Sequence, residues 1–128
     1  MKLLLDTCTF LWIASDAPEL SRACRTLFAD PSNEVYLSAV SALEIAIKHA
    51  LGQLPLPAPP PVFVSQERSR HEIEPLPLVE EAALRMGQLP AVHRDPFDRA
   101  LVCQAITHGM TLLTPDPNIG KYPVSVVW

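Results

Sequence analysis

At 128 residues and 14.1 kDa the chain has the length of one domain, close to the commonest domain size. Hydrophobic residues make up 48% and charged residues 19%, which excludes disorder as the ground state. Fourteen acids against ten bases leave a formal charge of −4. That is the wrong sign for a protein that coats nucleic acid non-specifically, so any such contact has to be local.

Taken in chain order, Lys2 to Leu5 is a short apolar run that ends at Asp6 and reads as a buried strand. Phe10 to Ile13 can start a short helix. Glu19 to Ala29 reads as a second helix, opened by Pro18 and stopped by Asp30-Pro31. Val35-Tyr36-Leu37 is a strand triplet. Ser38 then caps a long helical pattern from Ala39 to about Leu51, and Gly52 ends it. Five of the seven residues from Pro55 to Pro61 are proline, which predicts an extended surface connector. Val62 to His71 is expected to be helical, Ile73 to Leu76 an edge strand, and Leu78 to Met86 a helix ending at Gly87. Pro96 opens a helix that runs to about His108 with Gly109 behind it. Met110 to Leu113 and Val124 to Trp128 complete the strands. Strands alternate with helices throughout, which predicts a parallel sheet with helices on both faces. In such sheets ligands collect at the carboxyl ends of the strands.

No uninterrupted apolar run approaches the ~18 residues of a membrane span. The apolar opening Leu3-Leu4-Leu5 is broken by Asp6 before a signal-peptide core can form. A cytoplasmic protein with no membrane contact is therefore expected. Cys8, Cys24 and Cys103 lack any paired metal-type spacing and are expected to be reduced, partly buried thiols. His49, His71, His93 and His108 likewise show no ligand spacing; surface or locally hydrogen-bonded roles are expected. Phosphate-loop glycine motifs and a serine-hydrolase elbow are absent.

The informative residues are carboxylates in apolar surroundings. Asp6 follows Leu3-Leu4-Leu5, and Asp116 follows Leu112-Leu113-Thr114-Pro115, so both lie just past a predicted strand, where a turn or cap is the simple alternative. Glu44 shares a helical stripe with Val40, Ile47 and Leu51. It faces inward on that spacing, or else pairs with Lys48 at i+4. Asp95-Pro96-Phe97-Asp98 is a strong helix start, yet Asp98 also shares a face with Leu101, Val102 and Ala105. If these acids converge they repel one another: two like charges at 4 Å cost about 4 kcal/mol at an effective dielectric near 20. Bound cations offset that repulsion. All-oxygen carboxylate donors favour Mg²⁺ or Mn²⁺ over Zn²⁺, and carboxylate-held Mg²⁺ suits phosphodiester hydrolysis.

The same stretches resemble a known family. Leu4-Leu5-Asp6-Thr7 with Leu11-Trp12 looks like the opening of a PIN-domain nuclease. Ser38-x-x-Ser41-x-x-Glu44-Ile45 with Lys48 and Gly52-x-Leu54, then Leu89-Pro90, His93 to Arg99 and Gln104-Ala105, resemble its second and third motifs. Leu113-Thr114-x-Asp116 with Tyr122 and Val127-Trp128 resembles the fourth. By pattern the chain is most similar to VapC-like toxins of type II toxin–antitoxin pairs. The resemblance covers the whole chain and implies a single domain over residues 1–128, an α/β/α sandwich with a central parallel sheet. It further implies a Mg²⁺- or Mn²⁺-dependent endoribonuclease in a bacterial or archaeal cytoplasm. Carried over by position, the catalytic and metal-holding residues would be Asp6, Glu44, Asp98 and Asp116. Asp95 would be either an additional metal-site carboxylate or only the cap of the helix carrying Asp98. Thr114 would be a hydroxyl neighbour of the site. Lys48, Arg94 and Arg99 would guide RNA or balance the acids. The partners implied are an RNA substrate, a cognate antitoxin and a second copy of the chain. Two other classes compete: a non-catalytic PIN-like binding module, and a receiver-like phosphoacceptor domain.

Overall fold

The computed structural model describes residues 1–128. It holds five strands and six helices: β1 (Lys2–Leu5), α1 (Thr7–Ser15), α2 (Arg22–Ala29), β2 (Glu34–Ser38), α3 (Ala39–Ala50), α4 (Pro60–Arg70), β3 (Glu74–Leu76), α5 (Glu80–Leu84), α6 (Pro96–His108), β4 (Thr111–Leu113) and β5 (Ser125–Val127). All four strand pairings are parallel, in the order β3-β2-β1-β4-β5. A receiver domain runs 2-1-3-4-5, so the sheet order removes the receiver-like alternative. No helix is long and apolar enough to cross a membrane.

Alternation along the strands sorts the core into two layers. Leu3 and Leu5 of β1 join Val35, Leu37 and Leu113 against Phe10, Ile13, Cys24, Phe63 and Val64 on one face. Leu4 and Leu112 join Leu101, Val102, Ala105 and Tyr122 on the other. Helix α3 starts where β2 stops, because Ser38 ends the strand and its Oγ accepts the Val40 N–H at 2.9 Å. It gives Ile45 to the first layer and Val40 to the second, and packs against α1, α4 and α6. This helix therefore passes over the carboxyl edge of the sheet. Trp128 packs against Trp12 of α1, with ring centroids 5.6 Å apart and planes tilted by 54°.

Several boundaries differ from the sequence expectation. Helix α1 begins at Thr7, earlier than Phe10, because Asp6 is itself the cap. Helix α2 begins at Arg22, capped by Ser21 and not opened at Glu19. Pro60 and Pro61 belong to α4; proline is accepted in a first helical turn, where its missing N–H is not needed. The helix expected over Leu78 to Met86 is shorter: α5 stops at Leu84 and passes into a 3₁₀ turn, Arg85–Gln88. A second 3₁₀ turn at Ile119–Lys121 lies between β4 and β5. Ile47 and Leu51 share the expected stripe with Glu44 but lie exposed, whereas Val40 and Glu44 are buried.

Leu112 sits in the middle of the sheet with no exposure, whereas Leu51 is 65% exposed. Leu112→Ala is expected to lower unfolding stability by about 2–5 kcal/mol, and Leu51→Ala by no more than about 0.5 kcal/mol. Denaturant midpoints of the two variants check this directly; equal losses would contradict the layer assignment.

Candidate active site

Asp6 stands at the carboxyl end of the central strand β1, next to β4. Its N–H donates to the Leu113 carbonyl at 3.3 Å. Its Oδ1 caps α1, accepting the Thr9 N–H at 2.8 Å and the Cys8 S–H at 3.3 Å. Asp95 plays the same part for α6, where Oδ1 accepts the N–H groups of Phe97 and Asp98 at 2.9 and 3.2 Å. Asp116 follows β4, and its Oδ1 accepts the Asn118 N–H at 2.9 Å while its own N–H donates to Thr114 Oγ1 at 3.1 Å. Each of these aspartates thus spends one oxygen on fixing a turn or helix start. Capping and site formation are not alternatives here, because the capped oxygen fixes the direction of the other one.

Asp98 lies in the first turn of α6. One carboxylate oxygen each from Asp98 and Asp116 and one ring nitrogen of His93 lie within 4.8 Å of one another. Burial pushes the Asp98 carboxyl up to about 6, and the nearby negative charges of Asp95, Asp6 and Asp116 add to the rise, while the hydrogen bond from His93 opposes it. Asp6, Asp95, Asp98 and Asp116 therefore share one electrostatic environment. The thiol of Cys8, half-buried and beside Asp6, is held protonated by burial and by the same negative field.

Glu44 is buried, as its place on α3 requires, but both its oxygens are engaged. Thr7 Oγ1 donates to Oε1 at 2.6 Å, and Lys48 Nζ donates to Oε2 at 2.6 Å. The expected inward glutamate and the i+4 pair with Lys48 therefore both occur. The Lys48 ammonium is stabilised first by its hydrogen bond to Glu44, then by the charges of Glu44, Asp95 and Asp98. It balances the rim of the acidic cluster.

Arg99 departs from its expected place. The sequence expectation is that it guides RNA or balances the acids, yet its guanidinium donates to the carbonyls of Pro90, His93 and Met86 and to the Tyr122 hydroxyl. Those bonds clamp the loop ahead of α6 onto the helix. Arg94 is exposed. His93 also departs from expectation, since it is drawn into the acidic cluster. Its pairing with Tyr122, 29 residues away, has no short-range signal. The signal in the sequence was its position five residues before Asp98 in the same motif.

Residues 3–124 match the PIN domain family. The chain belongs to the PIN-domain family. A 64-residue stretch is 41% identical to ribonuclease VapC16 of Mycobacterium tuberculosis, covering 50% of this chain and 43% of that protein. The match thus spans less than half of that relative's length. The PIN fold is shared with solved structures at low identity. VapBC2 of Rickettsia felis, solved bound to a promoter DNA fragment, superposes with a TM-score of 0.74 at 15% identity, covering 99% of this chain and 98% of that one. FitAcB of Neisseria gonorrhoeae gives 0.61 at 22% identity, covering 98% and 96%. The observed sheet and helix layers are those of this PIN α/β/α sandwich.

The raised Asp98 carboxyl has a consequence for stability in the absence of cations. With a folded value of about 6 against an ordinary 3.8, the folded state binds more protons than the unfolded state in that window. Stability therefore falls as pH rises through it. Melting temperature in a chelator should rise as pH is lowered from about 7 to about 5, and Asp98→Asn should flatten that slope and melt no lower than wild type at neutral pH. Asp95→Ala should instead lose about 1 kcal/mol by removing a helix cap. A clear loss of stability in Asp98→Asn at neutral pH would assign Asp98 to helix support alone.

Proposed function

We propose that the chain is a Mg²⁺- or Mn²⁺-dependent endoribonuclease that serves as the toxin of a toxin–antitoxin pair. The observation that carries this reading is the clustering of Asp98, Asp116 and His93 beside Asp6 and Asp95, with the Asp98 carboxyl forced up to about 6. A divalent cation fits this donor set, because mutually repelling carboxylates gain most from a shared positive charge and hard oxygen donors suit Mg²⁺ and Mn²⁺. Asp98 and Asp116 would hold it together with Asp6, and Asp95 lies close enough to add its charge. When bound, the ion would supply an activated water and neutralise charge developing on a scissile phosphodiester.

The remaining work belongs to the chain's own groups. The N-termini of α1 and α6 stabilise the acids beside them through their aligned peptide dipoles. Thr7 and Lys48 occupy both oxygens of Glu44, so it stands outside the group formed by Asp98, Asp116 and His93, and its part is to hold Lys48 beside the acids. Arg94, exposed next to Asp95, is the residue we assign to steering the RNA backbone. The likeness to ribonuclease VapC16 supports RNA as the substrate.

Solved VapBC and FitAcB structures share the fold, which supports a cognate antitoxin as the partner. An antitoxin segment would place an arginine or lysine among the acids, so inhibition and metal binding would compete. Leu43 and Ile47 are exposed on α3 next to Glu44, and such apolar surface suits a protein partner. A homodimer is proposed on the family resemblance.

Purified protein is expected to cut single-stranded RNA in Mg²⁺ or Mn²⁺, to lose that activity in EDTA, and to lose it through Asp98→Asn. Co-expression with the neighbouring gene should suppress cleavage, and excess Mn²⁺ should partly restore it. Full cleavage in EDTA would overturn the metal-dependent reading. Metal binding with intact RNA under every condition would favour the non-catalytic module.

A further inference from the structure

Arg99, Tyr122, His93 and Asp98 form one hydrogen-bonded line into the acidic cluster. Arg99 Nη1 donates to Tyr122 Oη at 3.1 Å, Tyr122 Oη lies 2.7 Å from His93 Nδ1, and His93 Nε2 lies 3.4 Å from Asp98 Oδ2. The guanidinium carbon also sits 5.9 Å from the Tyr122 ring centroid. The direction of the first bond is fixed, because arginine only donates. It occupies a lone pair of the phenol oxygen. Tyr122 is 3% exposed, so its own hydroxyl hydrogen needs an acceptor, and His93 Nδ1 is the one in reach. Nδ1 then carries the lone pair and Nε2 carries the proton. That proton faces a carboxylate that only accepts. The opposite tautomer would set a ring lone pair against Asp98 and strand the tyrosine hydrogen. A doubly protonated ring would strand the same hydrogen.

We infer that His93 is a positioning residue for Asp98: Arg99, acting through Tyr122, fixes the tautomer that donates Nε2–H to Oδ2 and leaves the other oxygen of Asp98 free for a cation. The inference rests on the metal-dependent reading above. It sets His93 apart from the acids it joins, because a protonated Nε2 has no lone pair with which to bind metal. Chains of this kind, running from a cation to an anion with every donor aligned, strengthen each bond along the line. They also resemble the outer partners that orient metal-holding side chains in other proteins.

The test uses the purified chain with Mn²⁺ as the probe. Nitrogen-15 NMR of the imidazoles in chelator should show His93 protonated on Nε2, and Tyr122→Phe should shift it towards a mixture of tautomers. Calorimetric titration should show Mn²⁺ affinity reduced about 10- to 100-fold in His93→Leu. His93→Gln can present an amide N–H where Nε2 stood, and it should keep Mn²⁺ affinity close to wild type. Melting curves separate these effects from misfolding. Equal loss in His93→Gln and His93→Leu, with nitrogen coupling in the Mn²⁺ resonance spectrum of wild type, would make His93 a direct ligand and overturn the inference. So would an Nδ1-protonated ring in the metal-free protein, or unchanged affinity in His93→Leu. Failure of the wild type to bind Mn²⁺ at all would overturn the metal-dependent reading itself, and the inference with it.

Discussion

Repulsion among carboxylates at one end of the sheet is the constraint around which the rest of the molecule is arranged. Burial raises the Asp98 carboxyl to about 6, and the negative charges of Asp95, Asp6 and Asp116 add to the rise. A chain under no other demand would spread such charges over its surface, because charge crowding without compensation costs stability. Here the crowding is enforced. The Oδ1 atoms of Asp6 and Asp95 are tied to backbone N–H groups at helix starts, and that of Asp116 to a turn. The same bonds that begin α1 and α6 hold Asp6 and Asp95 within the electrostatic reach of Asp98.

Those helix starts are in turn fixed by the sheet. Parallel pairing of β1 with β4 sets Leu5 beside Leu113, so the segments leaving both strands must diverge from the same edge. Thr9 Oγ1 donates to the Leu113 carbonyl at 2.9 Å, which stitches α1 to the end of β4. On the other side of the edge, Arg99 clamps the residues ahead of α6 through three carbonyls. The short hydrogen bond from Ser38 Oγ to Gln104 Oε1 joins the start of α3 to α6 inside the core. The polar groups named here have partners, and the loops that carry His93 and Asp116 are tied down by hydrogen bonds to Tyr122 and within the turn after β4.

Much of this was legible in the residues. Apolar runs that stop at an acid marked β1 and β4, and Ser38, Asp95 and Gly109 marked the ends of α3 and α6 because each satisfies helix-terminal groups. Asp6, Asp98 and Asp116 were readable from their places after strands and on an inward helix face. What the residues did not show depends on distance along the chain or on competition between local signals. At Asp6 the residues allow either a site carboxylate or a cap; in the structure it caps α1, which moves the start of that helix from Phe10 to Thr7. The proline run hid a helix start, because Pro60 and Pro61 fit a first turn as readily as a connector. Ile47 and Leu51 followed the right period yet lie exposed, since α3 crosses the sheet edge and buries only part of its stripe. The partnership of His93 with Tyr122 and the diversion of Arg99 into the loop needed three dimensions.

A crystal of the free protein grown or soaked with Mn²⁺, with diffraction recorded at a wavelength where manganese scatters anomalously, tests the central claim most directly. An anomalous peak in contact with the carboxylates of Asp98 and Asp116, on the side facing Asp6, is the expected result. No peak there at saturating Mn²⁺, or peaks only on exposed acids remote from the sheet edge, would contradict the view that this crowding of charge exists to hold a cation.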